Sequence, residues 1–132
     1  MKISELLVFL RSLLATDVDV VSQMPTTKWT KPRLLVRRQP GTNARASLST
    51  SGIRVVRQPF LLSLWTKDEG QGEDLMNLME LALWDLPGKG FPSFSVSDVE
   101  TDGAQYAPEA DVPEGYRHRH LMNLTFTGRH SA

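Results

Sequence analysis

Ile53-Arg54-Val55-Val56-Arg57-Gln58-Pro59-Phe60-Leu61-Leu62-Ser63-Leu64-Trp65-Thr66 is the stretch on which the fold turns. It is rich in β-branched and aromatic residues, and it is long for a strand, whose usual length is about 5–6 residues. Such a strand is expected to project past its neighbours. Pro59 has no N–H to donate, so a bulge or an unpaired edge is expected there. Upstream, Arg33 to Gln39 reads as a shorter strand. Pro40-Gly41 then opens a stretch, Thr42 to Gly52, that has almost nothing to bury and reads as a long mobile loop. The two strands together make a hairpin with a long tip.

Working outward, Asp68 to Gly72 reads as a turn and Glu73 to Leu86 as a helix. Leu75, Met79, Ala82, Leu83 and Leu86 share one face of that helix, with Leu78 beside them. Glu73 and Asp74 suit the positive end of its dipole, and Pro87-Gly88 stops it. Phe91–Glu100 and Tyr116–Thr127 read as strands, separated by a surface connection rich in Asp, Pro, Glu and Gly. In the last strand Met122, Leu124 and Phe126 face one way while Asn123, Thr125 and Thr127 face the other, as a sheet with one covered face requires. At the amino end, Ile3, Leu6, Leu7, Leu10, Leu13 and Leu14 form an apolar stripe at helical spacing, with Ser4 as its cap. Val18, Val20 and Val21 favour extended chain. The expected fold is α+β: a mixed, mostly antiparallel sheet with two helices packed on one face and a long protruding β-hairpin, in one domain over residues 1–132. Leu62, Leu64, Met79, Leu83, Leu124 and Phe126 are expected to be buried together.

The 132 residues are enough for one real core. No apolar run approaches the ~20 residues that span a bilayer, and no membrane partner is expected. Glu5 and Arg11 interrupt the hydrophobic amino end, so it reads as an amphipathic helix rather than a secretory leader. The absence of cysteine excludes disulfides, thiolate metal sites and cysteine nucleophiles. Formal net charge is +0, yet the charges are segregated. Lys28, Lys31, Arg33, Arg37, Arg38, Arg45, Arg54 and Arg57 stand together with no acid among them. Residues 68–114 hold twelve acids, from Asp68 and Glu69 to Glu114, against Lys89 alone. Such blocks are answered by nucleic acid, by another subunit, or by the other half of the same fold.

No motif carries catalysis. Gly70-Gln71-Gly72-Glu73-Asp74 sits where a dinucleotide fingerprint would, but it lacks the third glycine and holds acids where a pyrophosphate must bind. Gly88-Lys89-Gly90 lacks the rest of a phosphate loop. His118 and His120 are two apart on a strand and point to one face, but Arg117 and Arg119 flank them and the strand contains no carboxylate; no metal or other cofactor is expected. Ser47, Ser49 and Ser51 have no histidine nearby in sequence. Arg33, Arg37 and Arg57 could line phosphates, and Trp29 could stack on a base. The neutral total and the downstream acids weigh against stable DNA binding, while a channel through which DNA merely passes needs little affinity.

In order and polarity the chain resembles the tail terminator and tail completion proteins of long-tailed, siphophage-type bacteriophages. The resemblance spans nearly the whole chain. It rests on the opening helix, the strand Lys31-Pro32-Arg33-Leu34-Leu35-Val36-Arg37-Arg38-Gln39-Pro40-Gly41, and the long strand from Arg54 to Trp65. It continues through the helix around Asp74–Leu86 and the closing strand from Tyr116 to Thr127. The resemblance implies a non-enzymatic virion protein, assembled in the host cytoplasm. Such a protein forms a six-membered ring on the head-proximal end of the tail tube, stops tube polymerisation and presents a surface to the neck. The implied partners are further copies of the chain, the tail tube protein and a neck or connector protein, with DNA only as passing cargo. A basic patch meeting an acidic patch on the next copy is a heterologous contact that can close into a ring. The residues assigned to subunit or tube contact are Arg37, Arg38, Arg45, Leu48, Arg54, Arg57, Asp68 and Glu69. A head completion or other neck protein, and a nucleic-acid-binding module using the basic hairpin, are the alternative readings.

Overall fold

Period-two burial along two long strands organises the molecule. The computed structural model describes residues 1–39, 45–48 and 54–130. Among these the chain runs through helix α1 (Ile3–Leu14), β1 (Asp19–Val21), β2 (Arg33–Arg38), β3 (Arg45–Leu48), β4 (Arg54–Thr66) and helix α2 (Glu69–Trp84). It continues through β5 (Gly90–Phe91), β6 (Phe94–Thr101), β7 (Gln105–Tyr106), a 3₁₀ turn (Pro113–Gly115) and β8 (His118–His130). The sheet order is β1-β2-β4-β8-β6-β5, with β3 added to β4 and β7 to β8. All pairings are antiparallel except β1 with β2. The fold is therefore α+β with a mixed, mostly antiparallel sheet.

Even-numbered residues of β4 and β8 turn toward the helices. Phe60, Leu62, Leu64, Met122, Leu124 and Phe126 are all essentially sealed from solvent, with Leu34 and Val36 of β2 beside them. Leu6, Leu7, Leu10 and Leu14 of α1 and Met76, Met79 and Leu83 of α2 close the core from above. The six residues expected to meet in the core do so. The outer face bears a second, smaller cluster of Leu35, Trp65 and Tyr116, packed with Val21, Trp29 and Val112. This cluster exists because residues 22–32, which connect the parallel pair β1 and β2, fold back across the sheet there.

Several local readings need correction. Helix α2 begins one turn before Glu73. Asp68 caps it by accepting from Gln71 N at 3.2 Å, and Thr66 Oγ1 donates to Asp68 O at 2.6 Å. Met76 rather than Leu75 occupies the buried stripe, and Leu78 faces outward. Ser4 does not cap α1; the cap position is Lys2, without a side-chain bond, while Glu5 accepts from Ser93 N and Oγ at 3.1 and 2.6 Å. The stretch expected to be wholly a mobile loop contains β3, which continues the line of β2 along β4; its backbone groups find ladder partners that sequence hydropathy does not register. The remainder of that loop, residues 40–44 and 49–53, lies outside the described residues. Pro59 sits in the ladder without a bulge, opposite Thr125. Its carbonyl accepts from Gln39 N at 3.1 Å on the β2 side. In an antiparallel strand a residue's N and C=O point the same way, so the missing N–H faces the point where β2 leaves the ladder, and no β8 bond is lost. The connection 101–115 holds β7 and the 3₁₀ turn, and β8 runs on to His130.

Candidate functional site

The basic block does not form one surface. Arg33, only 1% exposed, turns to the outer face of β2 and is enclosed by the 22–32 connection. Its guanidinium donates to the carbonyls of Pro25 (3.4 Å), Thr27 (2.8 Å) and Lys28 (3.2 Å) and lies 4.3 Å from the centre of the Trp29 ring. Trp29 itself stacks on Tyr116 at 5.4 Å and meets Trp65 edge-on. Arg33 is not available to a phosphate, and the partly buried Trp29 ring is already stacked on Tyr116. The reading of Arg33 as a phosphate contact is wrong, because the 22–32 connection folds back over it and uses its guanidinium for backbone carbonyls.

Arg38, on the helix side, donates to the Met1 carbonyl and the Gln58 carboxamide and lies over the Phe60 ring. It anchors the amino end. Arg57 pairs with Glu100 at 3.0 Å in an exposed bridge, a contact of the kind that contributes about 0–1 kcal/mol. Arg119 pairs with Glu109 and ties the 101–115 connection to β8. Part of the segregated charge is thus answered within the chain. Arg37, exposed on the outer face, has no partner among the described residues. Arg45, Leu48 and Arg54 lie on the paired backbone of β3 and the start of β4.

The acidic end is elsewhere. Asp68 and Glu69 follow the last residue of β4, whereas Arg54 and Arg57 lie at its beginning. At ~3.3 Å per residue the strand separates them by roughly 40 Å. One chain cannot bring these two groups of charge together. The outward side of α2 adds Leu78, Leu81 and Trp84, which are 44%, 64% and 50% exposed. Trp84 Nε1 donates to Thr101 Oγ1 at 3.1 Å, and Thr101 Oγ1 donates to Glu80 at 2.8 Å, so the indole is held beside the end of β6. Between the helices an open cleft of about 450 Å³ is lined by Phe9, Leu13, Ala82 and Leu86, with Lys89 and Asp85 paired at 3.0 Å among its lining residues.

His118 and His120 lie on one face of β8, as their spacing requires, but they do not act as a pair. His118 Nδ1 and Tyr106 Oη are 2.7 Å apart, with the two rings stacked. His120 is 1% exposed beneath α2, where neither ring nitrogen has a hydrogen-bond partner. A Cβ on Gly72 would collide with its ring, which explains a glycine inside the helix. Among the described residues no group of three or more His, Asp or Glu side chains is placed to hold a metal ion. No described helix is long and apolar enough to cross a membrane.

Burial pushes the His120 imidazole below its ordinary value of 6.5, outweighing the upward pull of Glu73 and Glu69, with His118 adding to the lowering. The unfolded chain therefore takes up this proton at higher pH than the folded chain. His120's contribution to stability is complete above about pH 6.5 and is lost as pH falls through the lower folded-state value. Urea midpoints measured from pH 7.5 down to 5 should fall, and they should fall less in His120→Gln. An equal fall in that variant would assign the acid sensitivity to other groups, of which His130 and the amino terminus are also shifted downward.

No family model matches the chain, and no curated protein matches it. Among solved structures it is similar to a chain in the virion of a native gene transfer agent particle. The two are 17% identical, with 93% of this chain and 84% of that one covered and a TM-score of 0.48.

Proposed function

We propose that this protein is a structural virion protein that caps the head-proximal end of a phage tail tube. It assembles as a closed ring, halts tube polymerisation and forms part of the head–tail joint, with DNA only passing through its channel. No step of this role is catalytic. The observation that carries the reading is the placement of unlike charge at opposite ends of β4. Arg54 and Arg57, at the start of β4, lie far from Asp68 and Glu69, which follow its other end. Arg54 and Arg57 cannot reach the chain's own Asp68 and Glu69 but are free to meet those of another copy, and a contact between two different patches closes into a ring when the rotation allows. The order of elements supports the same reading through the resemblance drawn from the sequence.

Native mass spectrometry of the purified protein, with and without isolated tail tubes, tests it. The expected result is a single closed stoichiometry, six copies by the resemblance, bound at one end of each tube. Raising salt should weaken assembly, since exposed charges are screened over about 8–10 Å at physiological ionic strength. Rings that bind a portal or neck complex but never tubes would transfer the protein to the neck. A monomer whose affinity for DNA falls steeply with salt would replace the proposal with a nucleic-acid role.

A further inference from the structure

Among the described residues, two stretches of backbone edge have no neighbouring strand, on opposite sides of the sheet. On one side, β5 covers only Phe94 and Ser95 of β6, and loop bonds between Val96 and residues Gly88 and Lys89 extend that cover by one residue. From Ser97 to Thr101 no strand lies outside β6 among the described residues. On the other side, β1 covers Arg33 to Leu35 of β2. Val36 to Arg38, and then β3, run on with no outer neighbour among the described residues. Open edges of this kind recruit further strands unless something blocks them.

We propose that copies of this chain join by strand addition, the open edge of β6 in one copy receiving the β2–β3 edge of the next. The inference rests on the ring reading above, but it gives the acidic side of the contact to the β6 edge rather than to Asp68 and Glu69. Direction permits it. Each step from β2 through β4 and β8 to β6 is antiparallel, so β6 runs antiparallel to β2 within a chain. A head-to-tail neighbour, related by rotation without inversion of the strand direction, brings its β2 antiparallel to β6. Level permits it as well. Asp98–Thr101 align through Thr127–Leu124 of β8 with Arg57–Phe60 of β4, and Phe60 is level with Arg38 at the end of β2.

Charge selects the neighbour. Asp98 and Glu100 are paired with Thr127 and Thr125, which places them on the outer face of the sheet. Arg37, paired with Leu61, lies on that same face. Neither Asp98 nor Arg37 has a partner among the described residues, while Glu100 is shared with Arg57. Two β6 edges placed side by side would oppose like charges, which is destabilising, whereas β6 against β2–β3 opposes unlike ones. The two-fold pairing is therefore disfavoured and the head-to-tail one favoured. Trp84, fixed to Thr101 and half exposed, supplies an apolar flank to the β6 edge.

The chain contains no cysteine, so engineered pairs report cleanly. Asp98→Cys or Glu100→Cys is combined with Arg37→Cys or Gln39→Cys, all on the outer face, and the purified proteins are oxidised mildly. At least one pairing should give a ladder of covalent oligomers on a non-reducing gel, ending at the ring size. Asp98→Cys with Asp74→Cys, on the helix side, should give none. In parallel, Arg37→Glu and Glu100→Lys should each raise the concentration needed for assembly roughly tenfold, and the chain carrying both should recover it. Rings that form without any of these crosslinks, or with a dimer from Asp98→Cys alone, would overturn the edge pairing and leave the ring intact. A chain that stays monomeric up to its solubility limit, and on tail tubes, would remove both.

Discussion

Phe126→Ala should lower the unfolding free energy by about 3–5 kcal/mol. Phe126 is fully buried on β8, the strand shared by β4 and β6. Its ring meets Phe91 edge-on at 5.4 Å and Phe60 at 6.0 Å. Truncation removes ring contacts with two other aromatic side chains at once, in a place where the backbone on both sides is fixed by ladder bonds and cannot collapse into the void. For a domain whose total stability is about 5–15 kcal/mol, that loss is a large fraction. Urea denaturation followed by tryptophan fluorescence gives the measurement, with Trp29 and Trp65 reporting from the opposite sheet face. The midpoint should drop with little change in slope. A loss under about 1 kcal/mol would mean that Phe126 does not hold the two sides of the core together.

Gly128→Ala is the second large effect, and its sign is the informative part. Replacing a strand glycine by alanine ordinarily stabilises a protein by roughly 0.5–1 kcal/mol, because glycine loses more freedom on folding. Here a Cβ would overlap the Ser95 carbonyl oxygen and stand 2.8 Å from Phe94 Cε1. The carbonyl belongs to β6 backbone beside the register shift between Val96 and Asp98, so it has little room to move. Overpacking of this kind costs about 1–3 kcal/mol, and a backbone obstacle puts the substitution at the upper end. The β6–β8 ladder should loosen first, visible as faster exchange of the β6 amides that face β8. Unchanged or increased stability would show that β6 sits further from β8 than described. Because β6 carries the proposed docking edge, the same variant should also assemble poorly.

The charge pattern was legible as segregation but not as geometry. Arg33 and Arg37 are four apart on one short strand and fall on the same sheet face, yet one is sealed against the Thr27 and Lys28 carbonyls and the other is exposed. The difference lies in residues 22–32, which cover one end of β2 and not the other. Arg57 and Glu100 are 43 residues apart, and only the β4–β8–β6 ladder brings them together. The candidate contact residues divide in the same way. Arg38 is spent on the amino end and Asp68 caps α2, while Arg37 stays unpartnered among the described residues. Glu100, the β6 acid nearest Arg37 across the proposed edge, was not singled out from sequence, since nothing in its neighbours tells a covered strand edge from an open one.

By itself the sequence determined what short-range periodicity can encode. The three-and-four spacing of leucines specified α1, and the alternation of Met122, Leu124 and Phe126 specified which face of β8 is covered. The length of the stretch before Thr66 specified a long strand, though not that its neighbours match it nearly end to end. These follow from backbone geometry repeating every 3.6 or 2 residues, so neighbouring side chains carry the signal. Tertiary structure alone decided the start of α2, where Gly70 and Gly72 read locally as a turn but Gly72 admits the buried ring of His120. It also decided that β3 is strand, because ladder bonds to β4 replace the side-chain burial it lacks, and that Pro59 needs no bulge, because its missing donor points where β2 has ended. In each case the energy of a contact depends on the partner's position in space, which no local pattern records.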